Sequence, residues 1–220
     1  LPREESDRSS AEILSQILPV IFERNGFEKI YSDAWWYKLK AGTAVYGIFW
    51  NPLKNNGLGD IEIKQVDILN LFWEPGIKDI QKSKNIFHVE LIDNETLVAM
   101  YPEMNGKLGD STVEIAKYVY DDNVDTKDKS AVIDRYYKKI LNGVETVHYC
   151  KFCNGELLYA SENDPEYTER GFYDHGKYPF VFDTLFVEEG TPCSFGYIDI
   201  MKDAQKQIDI LSNSLVKNAA

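Results

Sequence analysis

Cysteine is scarce in this chain: 3 in 220 residues, an odd number, with two of them close together in Cys150-Lys-Phe-Cys153. That usage gives no disulfide framework and fits a reducing compartment. No apolar run approaches the roughly 18 residues a membrane span needs. The start, Leu1-Pro-Arg-Glu-Glu-Ser-Asp-Arg, lacks the charged, apolar and small-residue regions of a signal peptide. Positive charge is short as well, with 24 Lys and Arg against 36 Asp and Glu and a formal charge of −12. Such a balance excludes a surface that grips phosphates broadly, which requires a basic footprint, but not a surface that nucleic acid merely passes. Nucleophile motifs of the Gly-x-Ser-x-Gly kind are missing. Gly57-Leu-Gly59-Asp60 falls at an expected hairpin tip, not at the entry to a helix, so it is no phosphate loop.

What is present is ordinary for a folded chain: 44% hydrophobic and 27% charged residues, enough for one large domain or two small ones. Ser9 with Glu12 three positions on reads as a capping box opening a helix, whose apolar spacing runs through Leu14, Ile17, Leu18, Ile21 and Phe22. Pro19 predicts a kink or an early stop, and Asn25-Gly26 the end. A second helix follows to about Gly42. Residues 43–66 read as a β-hairpin around Asn51-Pro52 and Asn55-Asn56-Gly57. Residues 85–92 read as a strand and 93–101 as a short helix. The runs 131–141, 144–153 and 156–160, separated by Asn142-Gly143 and Asn154-Gly155, form a three-stranded antiparallel meander. Residues 156–190 carry nine Asp or Glu, with Arg170 and Lys177 as the cations. From Tyr197 to Lys217, Ile198, Met201, Ala204, Ile208, Leu211 and Leu215 recur at helical spacing. The fold class is therefore α+β, with helices plus antiparallel hairpins and a long C-terminal helix.

The one metal-like motif is His148-Tyr-Cys150-Lys-Phe-Cys153, half of a zinc knuckle. The second CxxC is missing, with Cys193 and His175 as further soft ligands, so small cysteines packed at a strand–turn corner are the plainer reading. Paired carboxylates can be drawn from so many acids that no pair stands out. Trp35-Trp36, Trp50 and Phe72-Trp73 lack interleaved Arg and Lys, and packing explains them better than base stacking.

Three stretches, taken in order and spacing, resemble portal proteins of tailed bacteriophages and prophages. They are Ala34-Trp-Trp-Tyr-Lys-Leu-Lys-Ala-Gly-Thr-Ala-Val-Tyr-Gly-Ile-Phe-Trp-Asn-Pro52, then Ile61-Glu-Ile-Lys-Gln-Val-Asp-Ile-Leu-Asn-Leu-Phe-Trp-Glu-Pro75, then Tyr173-Asp-His-Gly-Lys-Tyr-Pro-Phe-Val-Phe182 with Gly196-Tyr-Ile-Asp-Ile-Met-Lys-Asp-Ala-Gln205 and Asn213. The resemblance implies a non-enzymatic fragment with wing-like residues 1–92, a short first stem helix and linker at 93–110, a clip-like β part at 111–190, and a second stem helix at 191–220. Both ends read as cut from a longer chain. The resemblance also implies a ring of about a dozen copies at a capsid vertex, closed by rotational symmetry. Terminase, capsid or scaffold, and tail or adaptor proteins are the implied partners. Double-stranded DNA would pass without sequence-specific binding, no cofactor or membrane would be involved, and the protein would assemble in the bacterial cytoplasm and end in the virion. Asp199, Asp203 and Asp209 are then candidates to face the channel, and Ile198, Met201, Ile208, Leu211 and Leu215 to pack against neighbouring helices. The alternative is a small acidic zinc-binding or hydrolytic protein using Cys150/Cys153, with His148 and Cys193, or a carboxylate pair.

Overall fold

A computed structural model describes residues 7–108 and 128–219 of the chain; the linker and clip expectations at 109–127 lie outside the described residues. In chain order the main elements are α1 (Arg8–Arg24), α2 (Phe27–Ala41), β1 (Thr43–Asn51), β2 (Asp60–Val66), β3 (Leu71–Trp73), β4 (Asn85–Asp93), α3 (Asn94–Met100), β5 (Lys129–Leu141), β6 (Val144–Cys153), β7 (Glu156–Ala160), β8 (Phe180–Thr184), β9 (Phe186–Val187), β10 (Ser194–Phe195) and α4 (Tyr197–Ala219). Helices and antiparallel sheets together make an α+β fold. Two compact units result: the residues up to Val66 with those from Pro179 onward, and Asp67–Tyr178. The cuts at 66/67 and 178/179 differ from the expected segment borders, because β4 pairs along its whole length with β5, from Asn85↔Tyr137 to Asp93↔Lys129.

In the first unit, β1 lies between β2 and β8. Its residues Thr43, Ala44 and Val45 are fully buried, as suits a central strand, and Phe180 of β8 is 0% exposed. One face takes α2, whose Ala34, Phe27 and Ile30 pack on Ala44 and Tyr46. Lys38 lays its stem along this contact, with its ammonium 2.6 Å from Asp183 and 4.5 Å above the Trp35 ring. The open edge of β2 is covered by one side chain. Asn25 Nδ2 donates to the Ile61 carbonyl at 3.0 Å, and its Oδ1 accepts from Ile63 N–H at 3.1 Å, so a single amide takes the place of a neighbouring strand.

The helix α1 begins at Arg8 rather than behind a Ser9 cap, since Asp7 already has helical dihedrals and the first turn runs on through it. It also continues through Pro19 to Arg24, so the expected early stop does not occur. Its end is where the sequence placed it: Gly26, at φ +59°, lies between α1 and α2.

The second unit is built on a five-stranded antiparallel sheet in the order β3-β4-β5-β6-β7. The meander is present as read, and its two turns have Asn142 and Gly143 at φ of 52° and 81°, and Asn154 and Gly155 at 50° and 81°. Both turn positions are left-handed, which Asn and Gly tolerate and which matches the twist of the strands. On one face Leu97 of α3 and Met104 pack with Val132 and Cys153, joined by Ile92, Tyr101, Leu108 and Leu158. Near the other end, Gln81 exchanges two hydrogen bonds with the Tyr178 backbone, at 2.9 and 3.2 Å, and Tyr178 hydroxyl donates to the Ser83 carbonyl at 2.7 Å.

Candidate assembly surface

The most exposed element among the described residues is the 23-residue helix α4, which meets the rest of its unit near its first turn, where Phe186 lies edge-on to Tyr197. From Tyr197 through Asn218, all described side chains of α4 are exposed. At about 100° per residue, Ile200, Met201, Ala204, Ile208, Leu211 and Leu215 fall within an arc of about 100°. Of these, the five large residues are between 52% and 71% exposed, which is far from what such a stripe shows once packed. Ile198 lies about 60° beyond the edge of the arc, beside Val216, and Ile200 takes the place expected for it. A simple count of gaps of three and four admits Ile198 and passes over Ile200; the angular sum separates them.

The polar face is not an acidic wall. Asp199, Asp203 and Asp209 share it with Lys202, Lys206 and Lys217, three cations for three anions. Gln205 Nε2 also donates to Asp209 at 2.9 Å. The 156–190 stretch is similarly less bare than its composition. At least five of its nine acids are ion-paired: Glu156 with Lys107 (3.2 Å), Glu162 with Lys139 (3.0 Å), Asp183 with Lys38 (2.6 Å), and Glu166 and Asp174 with Arg170 (2.9 and 3.6 Å). Three of those cations come from elsewhere in the chain, which no linear count reveals.

A second exposed stripe lies on α1, where Ile13, Leu14, Ile17, Leu18 and Phe22 are all solvent-facing and no residue of the helix is buried. The paired Trp35 and Trp36 each lie under a lysine of their own helix, Lys38 and Lys40, at 4.5 and 5.4 Å.

The cysteine motif does not assemble a knuckle. Cys150 and Cys153 are three apart on β6, whose pairing with β5 is regular, so they point to opposite faces. Cys153 is packed with Leu97, Met104 and Val132, whereas Cys150 lies opposite Arg135. Burial pushes both thiols, and that of Cys193 in the other unit, above the usual thiol range, which keeps them protonated and inert. His148 is 0% exposed; its Nδ1 is 3.1 Å from Ser161 Oγ, and burial lowers its pKa.

The strand registers do bring together a group that sequence reasoning missed. His88 and Glu90 of β4 and Asp134 of β5 have ligand-type atoms all within 4.8 Å. His88-x-Glu90 on a strand is a legible half of it; the match to Asp134 depends on a register that the sequence does not state. The donor set is already committed. Asp134 Oδ1 accepts from Tyr149 hydroxyl at 2.6 Å and meets Lys151 Nζ at 3.0 Å, while His88 presents Nδ1 to Asp134 (3.6 Å) and Nε2 to Glu90 (3.8 Å). Burial alone would raise the Asp134 carboxyl, but His88, Lys151 and Tyr149 together hold it below the usual carboxylate range. The lysine ammonium supplies the positive charge here, and the group is an internal ion network.

A polypeptide with two folded units and a long helix whose apolar stripe is left exposed among the described residues has the build of a structural subunit, one that completes its packing in an assembly. The comparison with known families agrees: the chain matches the phage P22-like portal protein family over residues 1–220, and it belongs to that family. This places it among the structural proteins of phage DNA packaging, virion assembly and head–tail connection. No curated protein matches it. None of the described helices is long and apolar enough to cross a membrane.

Proposed function

We propose that the chain is part of one subunit of a ring-shaped, non-enzymatic DNA conduit, and that α4 packs against the corresponding helix of its neighbours as a stem. The observation that carries this reading is the exposed stripe from Ile200 to Leu215. Covering those five large side chains is worth roughly 1–1.5 kcal/mol each, because only their exposed part, between 52% and 71%, remains to be buried. The sum, about 5–8 kcal/mol, sits at the low end of the roughly 4–15 kcal/mol that association costs. A single helix pair is thus marginal, whereas a closed ring grips every copy from two sides. The α1 stripe adds a second apolar surface for the same purpose.

Residues 7–66 are wing-like in this reading, the β-rich 129–160 part clip-like, and the ring has about a dozen copies related by rotation. Terminase and tail or adaptor proteins dock on the ring, which sits at the virion's portal vertex after assembly in the bacterial cytoplasm. Duplex DNA passes without base-specific contact, as suits a chain with 24 cations against 36 anions. Asp199, Asp203 and Asp209 face that passage together with their neighbouring lysines. Mass photometry and negative-stain images of the full-length protein test this: annular particles are expected. A strict monomer at high concentration, without annuli, would sink the proposal.

A further inference from the structure

The helix α4 is joined to the rest of the first unit through a crossing of backbone on backbone. A Cβ on Gly42 would lie 2.3 Å from the Phe195 carbonyl carbon and 2.4 Å from the Ser194 oxygen; one on Gly196 would lie 2.3 Å from the Lys40 oxygen and 2.7 Å from the Gly42 nitrogen. Gly42 also holds φ at +88°, so glycine is required there on two counts. Ser194 ties the crossing together. Its N–H donates to Thr43 Oγ1 at 2.8 Å, its Oγ lies 3.2 Å from that same oxygen, donates to the Gly42 carbonyl and accepts from Leu185 N–H at 3.1 Å. Leu185 N–H reaches the Gly42 carbonyl as well, at 2.8 Å. Thr43 and Ser194 are 2% and 8% exposed, so these bonds are shielded from water.

We infer that Gly42, Thr43, Ser194 and Gly196 form a rigid clamp that positions α4, so that this helix and the β2-β1-β8 sheet turn as one body. A hinge needs exposed backbone whose torsions are free to change. Here the torsions just before the helix are taken up by the β9–β10 pairing and the glycine contact, and Asp199 Oδ2 accepts from Gly196 N–H at 3.0 Å on the helix side. Phe186 braces the outside, stacked on Phe195 with centroids 5.3 Å apart and edge-on to Tyr197 at 5.4 Å. Thr43 opens β1, the central strand, so a sideways push on α4 is delivered to the middle of the sheet. The clamp lies wholly in the first unit and holds whatever α4 packs against.

The test is a pulsed electron-spin distance measurement on the full chain between labels at Ser212 and Val181, both exposed. The labels are carried by non-canonical amino acids, which leaves the native cysteines untouched. A single narrow distribution is expected for the unaltered clamp, and a broadened or shifted one for Ser194→Ala and for Gly196→Ala. A broad or multimodal distribution with the native clamp would overturn the inference. So would narrow, unshifted distributions in both variants with native circular dichroism. If neither variant folds, the distribution with the native clamp decides alone.

Discussion

His88 and Asp134 stand directly opposite each other on β4 and β5, with imidazole Nδ1 3.6 Å from carboxylate Oδ2 and Lys151 on the far side of the same carboxylate. The three residues form one row across three strands, since Asp134 is paired with Lys151 in turn. Burial works against the charge on both Asp134 and Lys151; the His88 and Tyr149 hydrogen bonds to the carboxylate, with the attraction of Asp134 and Lys151 for each other, outweigh it, lowering one pKa and raising the other.

Removing one partner of this pair leaves a buried charge. Asp134→Ala is expected to cost about 3–5 kcal/mol in denaturant unfolding, while the double variant Asp134→Leu/Lys151→Met recovers most of the loss. Equal losses in the single and double variants would show that packing, not charge, dominates the row.

His148 predicts a second dependence, on pH. Its folded-state pKa lies below the ordinary 6.5 because burial disfavours the charged ring. A group of this kind binds more protons in the unfolded state, so its stabilisation is complete above about pH 6.5 and is lost as pH falls towards the folded value. The midpoint of thermal unfolding should therefore drop as pH is lowered from 6.5, and His148→Gln should flatten that slope. An unchanged slope in the variant would assign the dependence elsewhere.

Asn25 offers a third test. Asn25→Ala frees the Ile61 carbonyl and the Ile63 N–H at the edge of β2. The expected loss is about 1–3 kcal/mol in the stability of the first unit, with turbidity rising on heating because an unguarded strand edge pairs between molecules. Stability and turbidity both matching the parent chain would show that water serves the edge as well as the amide does.

The assembly surface can be probed without touching the core. Leu211→Asp and Ile208→Asp alter side chains that are 63% and 59% exposed, so the monomer should keep its stability within about 0.5 kcal/mol. Self-association of the full-length protein, read by sedimentation velocity, should fall sharply. Ile198→Asp, off the stripe, should weaken it far less. Equal effects at all three positions would place the contact on another face.

Much of this was readable beforehand where a local rule applied. The two Asn-Gly turns, the β1–β2 hairpin and the long terminal helix follow from dihedral preference and periodicity. What was not readable depended on register or distance in sequence. That β4 joins the meander, that Lys107 and Lys139 neutralise Glu156 and Glu162, and that Cys150 and Cys153 face opposite ways all rest on pairings between segments tens of residues apart or on strand phase. The helix start failed for a smaller reason: Ser9 and Glu12 have the spacing of a capping box, yet the turn had already begun at Asp7.

The interleaving of Asp199, Lys202, Asp203, Lys206, Asp209 and Lys217 has one more consequence. Copies of α4 approaching each other carry no like-signed field on this helix to hold them apart, so screening by salt has little to remove. Whatever ionic strength does to self-association therefore acts through the charge carried elsewhere on the chain, whose net value is −12.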